Sequence, residues 1–166
     1  MPIQDIEQPQ ILSIDGNLRL RRYDDAFETA FAWYRNEETV WLVDAVREVY
    51  DADRIRKMYA YQERKNELYW IETKEKGAWE PVGDVTLSDE DMAIVIGEPS
   101  ARGQGIGRKV IACLMERARD LGWEELTVGE IYDWNEASRR LFTGLGFEPV
   151  ERTKDGWKYR CRMDME

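Results

Sequence analysis

Residues 92–131 read as strand, glycine-rich loop, amphipathic helix and strand, and that order limits the open folds more than any other feature of the chain. Residues 92–96 are strand-like and 97–107 form a loop rich in glycine. Residues 106–121 set Val110, Ile111, Leu114, Met115, Ala118 and Leu121 three and four positions apart, which gives a helix one apolar face, and Gly122 stops it. Residues 126–131 return as a strand. Strands that alternate with helices in this way imply a sheet layered against helices.

The flanking sequence supplies the remaining elements. Residues 11–23 alternate and turn at Asp15-Gly16-Asn17, the pattern of a hairpin or of a broken first strand. Asp24 is placed to cap a helix through Phe27, Ala30, Phe31 and Tyr34, a second short helix is expected at 40–46, and Asp51 opens a third. Strands are expected at 67–73 and 79–87, a helix at 135–145 ended by Gly146, and strands at 147–152 and 157–163. The fold class is therefore α/β of the α+β type. No repeat, low-complexity tract or linker interrupts the sequence, so residues 1–166 are expected to form a single domain.

Charge and missing residue types narrow the function. Lys plus Arg is 24 and Asp plus Glu is 34, a net charge of −10, which argues against a general nucleic-acid binder and suits a cationic substrate. The chain has no histidine, which removes Ser-His and Cys-His nucleophile pairs and the usual zinc sites, so no metal is expected. Cys113 and Cys161 lack CxxC spacing and are expected to be reduced and mostly buried. No apolar run approaches a membrane span, and residues 1–10 show no leader pattern, so a cytoplasmic location without membrane contact is expected.

The loop Arg102-Gly103-Gln104-Gly105-Ile106-Gly107-Arg108-Lys109 opens the long helix, where unpaired backbone N–H groups and the helix dipole suit a phosphate. It is not a Walker A loop, because Gly107-Arg108-Lys109-Val110 offers no hydroxyl for magnesium. Nor is it a dinucleotide fingerprint, because its spacing is GxGxG and not GxGxxG; this sets aside a nucleotide-dependent oxidoreductase.

Residues 102–107 instead resemble the [QR]-x-x-G-x-[GA] loop of the GNAT acyl-CoA N-acyltransferase superfamily. Pro99 lies three residues before the Arg, and the block from Asn135 through Phe147 is similar to that family's N-x-x-[AS]-x-x-[LF]-Y-x-x-x-G-F signature. The resemblance covers residues 92–150 in family order, with a looser match over 18–34. It implies a GNAT-like mixed, mostly antiparallel twisted sheet of about six to seven strands flanked by helices, with two splayed central strands. It implies acetyl-CoA as cosubstrate, with Val95, Ile96 and Gly97 bonding the pantetheine and neighbouring N–H groups polarising the acyl carbonyl. Gly103, Gln104, Gly105, Ile106, Gly107 and Arg108 would cradle the pyrophosphate with their N–H groups, Arg102 would be a further cofactor-binding residue, and Asn135 would reach the cofactor from the next helix.

Glu130, five residues before Asn135, stands at the offset of a catalytic carboxylate in several members, and would take the proton from an amine. The sequence departs from the pattern at Phe142, where many members carry the Tyr that protonates the leaving thiolate; Tyr132 is an alternative donor or a packing residue. The expected activity is acetyl transfer from acetyl-CoA to a primary amine, on a small molecule or a protein N-terminus; the resemblance also allows a homodimer. The alternative is an acyl-CoA-binding module without turnover. The acceptor is not coded legibly. Trp33, Tyr34, Trp41, Tyr59 and Trp70 are expected to be core more than pocket, and Asp44, Asp84 and Glu98 to be either cation contacts or solvated surface.

Overall fold

The computed structural model describes residues 6–46 and 48–163, so the first half of the leader reading lies outside the described residues. The chain gathers into two compact units: residues up to Thr86 with Ile94–Ile106, and Leu87–Ala93 with the chain from Gly107 onward.

In the first unit β1 (Ile11–Asp15) and β2 (Leu18–Arg22) form the expected antiparallel hairpin, and Asn17 N–H donates to Asp15 Oδ1 at 2.8 Å in the turn. The helix expected after Asp24 is shorter: a 3-10 turn, Phe27–Ala30, runs into α1 (Phe31–Tyr34). Asp24 does not cap it. Its carboxylate accepts from Ala26 N–H at 3.2 Å and from Trp70 Nε1 at 3.0 Å, tying the turn to a strand instead. Helix α2 (Glu37–Asp44) begins three residues before the expected start, because Asn36 Oδ1 accepts from the amides of Glu38 and Thr39. Helix α3 (Ala52–Lys65) is capped by Asp51 as expected.

Strands β3 (Glu67–Glu75) and β4 (Ala78–Leu87) turn through Lys76 and Gly77, both left-handed, and β2 pairs antiparallel with β3. Strand β5 (Ala93–Ile96) closes a sheet ordered β1-β2-β3-β4-β5. The core of this unit is aromatic: Tyr23, Trp33, Tyr34, Tyr50, Tyr59 and Trp70 are buried together with Val40, Ile55 and Leu68. The pocket candidates Trp33, Tyr34, Tyr59 and Trp70 are thus core, and Trp41 on α2 is half-buried.

In the second unit α4 (Ile106–Asp120) buries Val110, Ile111, Leu114, Met115 and Ala118 as its spacing predicts, and Gly122 follows at φ 80°. Strand β6 (Glu125–Tyr132), α5 (Glu136–Gly144), β7 (Glu148–Arg152) and β8 (Gly156–Arg162) follow, with a second antiparallel sheet ordered β6-β8-β7. All five residues of β7 are exposed at the edge of this sheet. Cys161 is buried, Cys113 half-buried, and both are free thiols. The architecture is mixed α/β with antiparallel sheets, as expected. Among the described residues the strands number eight and divide into two hydrogen-bonded sheets, with β5 at the edge of one and β6 at the edge of the other. No described helix is long and apolar enough to cross a membrane.

Candidate active site

The glycine loop has the backbone of an anion cradle. Gly103 and Gly105 adopt φ 74° and 77°, and around each an added Cβ would meet open space, so the glycines serve conformation and not packing. Alternating left-handed residues turn successive N–H groups to the same side, forming a concavity for anions. The concavity leads directly into the fifteen residues of α4. Gly103, Gln104, Gly105 and Arg108 are exposed, Gly107 is half-buried and the Ile106 side chain is core, which leaves Ile106 its backbone to offer. The Gln104 amide is folded back onto Ser100 O at 2.6 Å.

Arg102 does not point its charge outward. Its Nε donates to Ile96 O at 2.9 Å and a terminal nitrogen to Thr39 Oγ1 at 3.0 Å, while Glu38 stands 3.9 Å away. The guanidinium joins the loop to the end of β5 and to the start of α2, and Thr39 there is only 1% exposed. This is a shaping role.

At the end of β5 the ladder is irregular. Gly97 N–H and Glu98 N–H both donate to Val82 O, at 2.8 and 3.1 Å. Any side chain at Gly97 would overlap the Trp33 ring, whose Nε1 donates to Glu98 Oε1 at 2.9 Å. Alternate strand residues send their polar groups to opposite edges. With Gly97 engaged on β4, Val95 faces the same way and Ile96 turns its N–H to the open edge.

In the second unit Asn135 is the N-cap of α5, its Oδ1 accepting from Ser138 N–H at 3.2 Å. The end of the Arg108 side chain lies close over Gly144, at the C-terminal end of α5, where the helix dipole favours a cation. Glu130 is half-buried, and its Oε2 accepts from Asp155 N–H at 3.4 Å. Phe142 is 2% exposed and packs edge-on to Phe147 at 5.1 Å, so this position offers a hydrocarbon face and no hydroxyl. Tyr132 stacks on Trp134 at 5.0 Å.

Two carboxylates gained importance only in three dimensions. Asp84 is 2% exposed, and its Oδ2 accepts from Tyr34 OH at 2.8 Å and from Tyr59 OH at 2.7 Å. Burial pushes its carboxyl up to about 6, against the pull of the two hydroxyls. It is neither surface nor an open cation contact. Asp91 accepts from Gly129 N–H at 2.8 Å, and burial, then the charge of Glu130, raise its carboxyl against that bond. The sequence singled out Asp84 only as one of three acidic candidates, and Asp91 not at all. Among the described residues no three His, Cys, Asp or Glu side chains converge as metal ligands.

Strand β5, a loop with two left-handed glycines and the long helix α4 follow one another in a mixed α/β fold. The acetyltransferase (GNAT) domain family matches residues 17–148, and the chain belongs to that family. A stretch of 60 residues is 37% identical to thialysine N-epsilon-acetyltransferase of Bos taurus, covering 36% of this chain and 34% of that relative; the chain thus spans about a third of the curated relative's length. The fold is similar to that of a domain from Methanocaldococcus jannaschii, with TM-score 0.80 and 21% identity, covering 90% of this chain and 100% of the other. It is also similar to RimL, a ribosomal L7/L12 alpha-N-protein acetyltransferase solved with coenzyme A, with TM-score 0.72 and 18% identity, covering 94% and 99% of the two chains. At these identities the two structures bear on the fold.

Proposed function

We propose that the chain transfers the acetyl group of acetyl-CoA to a primary amine by direct attack in a ternary complex. The observation that carries the proposal is the left-handed pair Gly103 and Gly105 ahead of α4, a backbone cradle suited to a pyrophosphate. Membership of the acetyltransferase family supports it, as does the coenzyme A held by the similar RimL structure. The acceptors named for the two relatives, a thialysine Nε group and a protein α-amine, are both primary amines, and a chain of net charge −10 suits a cationic acceptor.

In this reading the N–H groups from Gly103 to Arg108 bind the pyrophosphate, and the edge-facing N–H of Ile96 bonds the pantetheine. Asn135 reaches the cofactor as it caps α5. The acceptor arrives as an ammonium and gives one proton to the Glu130 carboxylate. The freed nitrogen lone pair attacks the thioester carbonyl carbon, whose oxygen takes up negative charge against backbone N–H donors. Collapse breaks the C–S bond, releasing the CoA thiolate, and the amide nitrogen sheds its second proton to water. Phe142 supplies no proton, so the thiolate leaves as the anion or takes a proton through water.

The test is thiol release from acetyl-CoA with a panel of thialysine, lysine and a peptide with a free α-amine. Release with at least one amine is expected. Coenzyme A binding without release from any would replace the proposal with an acyl-CoA-binding module. Glu130→Gln should lower turnover by about 10²–10⁴ and flatten the acidic limb of the pH–rate profile, with CoA affinity at the parental value. Parental turnover and an unchanged profile would remove Glu130 from the mechanism.

A further inference from the structure

The register of β6 against β8 is broken at one place. Val128 faces Tyr159 and Ile131 faces Trp157, so the two residues Gly129 and Glu130 oppose the single residue Lys158. That is a β-bulge, and a bulge takes backbone groups out of the ladder while re-aiming the side chain beside it. The Gly129 N–H does not go without a partner: it donates to Asp91 Oδ1 at 2.8 Å. The contact is close enough that an added Cβ at Gly129 would lie 3.1 to 3.4 Å from the three atoms of the Asp91 carboxyl group.

Asp91 is itself held on both sides. Ser88 Oγ accepts from the amides of Glu90 and Asp91, each at 3.1 Å, and Met92 N–H donates to Thr127 O of β6 at 2.9 Å. A turn fixed at both ends thus delivers one carboxylate oxygen to one bulge amide. By contrast Glu130 has a 3.4 Å bond from the amide of Asp155, too long to orient it well.

We infer that Asp91 is a positioning residue: it holds the β6 bulge in the form that presents Glu130 for proton transfer. This rests on the reading of Glu130 as the proton acceptor. Without the Asp91 carboxylate the Gly129 N–H loses its acceptor, and the strand gains by drawing the bulge into regular pairing with β8. Because side chains alternate faces, closing a one-residue bulge turns Glu130 to the opposite side of the sheet. The charged groups around the bulge are Asp91 from the preceding turn, Asp155 from the β7–β8 turn and Lys158 opposite in register.

The experiment compares Asp91→Ala, Asp91→Asn and the double variant Asp91→Ala/Glu130→Gln, using acetyl-CoA and the best amine of the panel. It also follows the Gly129 amide by NMR in protein labelled with ¹⁵N-glycine, without ligand. Asp91→Ala should lower kcat by about 10²-fold with KM for acetyl-CoA unchanged, and its Gly129 amide signal should shift and exchange faster. Asp91→Asn keeps an acceptor oxygen and should recover most of the rate and the amide signal. The double variant should be no slower than Glu130→Gln alone.

A slow Glu130→Gln beside an Asp91→Ala of parental kcat would overturn the role of Asp91 and leave Glu130 standing. Glu130→Gln at the parental rate would overturn the base reading and the role of Asp91 with it. Losses that add in the double variant, or an Asn variant as slow as Ala, would show that Asp91 acts by another route. Should Asp91→Ala not fold, Gly129→Ala crowds the same carboxylate from the strand side and should give the same kcat loss with KM unchanged; a parental kcat there overturns the inference.

Discussion

Asp84 on β4 and Glu130 on β6 are both strand carboxylates, yet their surroundings put them to different uses. Asp84 is 2% exposed, and one of its oxygens takes two tyrosine hydroxyls, from α1 and from α3. Glu130 is half-buried at a strand irregularity and has one long bond from an amide. A sealed carboxylate with two donors orders the helices that reach it and is closed to a substrate. A half-open one contributes little to the fold and can exchange protons with a substrate. Residue type alone does not separate the two roles; access and the number of donors do.

The largest expected effect tests the sealed side. Asp84→Ala leaves two buried hydroxyls without their acceptor, a cost of about 2–6 kcal/mol by urea unfolding, whereas Glu130→Ala should change stability by less than about 1 kcal/mol. Equal losses would break the comparison.

A second measurement uses pH. The folded Asp84 carboxyl titrates at about 6, above its ordinary 3.8, so the folded chain keeps a proton that the unfolded chain gives up first. Its contribution is fully present below about pH 4 and is lost as pH rises through 6, about 3 kcal/mol in all. Asp84→Asn should remove that slope from the stability profile between pH 4 and 7. Profiles parallel to the parent would mean the carboxyl is not shielded as its burial implies.

The smallest effect belongs to the open loop, where backbone and not side chain is the instrument. Gly105→Val should weaken CoA binding by calorimetry about tenfold, the equivalent of the 1–2 kcal/mol an L-residue pays in a left-handed conformation, with stability nearly unchanged. Unchanged affinity would take the loop out of the site.

Where local chemistry decides an element, the sequence was sufficient. The face of α4 follows from the spacing of Val110, Ile111, Leu114 and Met115, its end from Gly122, and the starts of α3 and α5 from Asp51 and Asn135. Where a distant group decides, it was not. Asp24 looks like a cap but answers to Trp70, 46 positions away. Nothing near Arg102 in sequence announces that its guanidinium bonds Thr39, 63 positions away. The bulge at Gly129 depends on Asp91, 38 positions upstream, and no period within β6 announces it. The Asp84 cluster likewise needs three elements to meet, and any one of them alone reads as ordinary amphipathic sequence.

The exposed edge strand β7 has a bearing on how the protein behaves when concentrated. Its five residues, Glu148-Pro-Val-Glu-Arg152, include a proline that cannot donate to a further strand, a register break between Pro149 and Glu151, and three charged side chains. Each feature hinders a neighbouring molecule from adding itself as the next rung, the first step toward fibrous aggregates. Val150, at 46% exposure, sits at the break, where a docking strand would find no continuous row of partners.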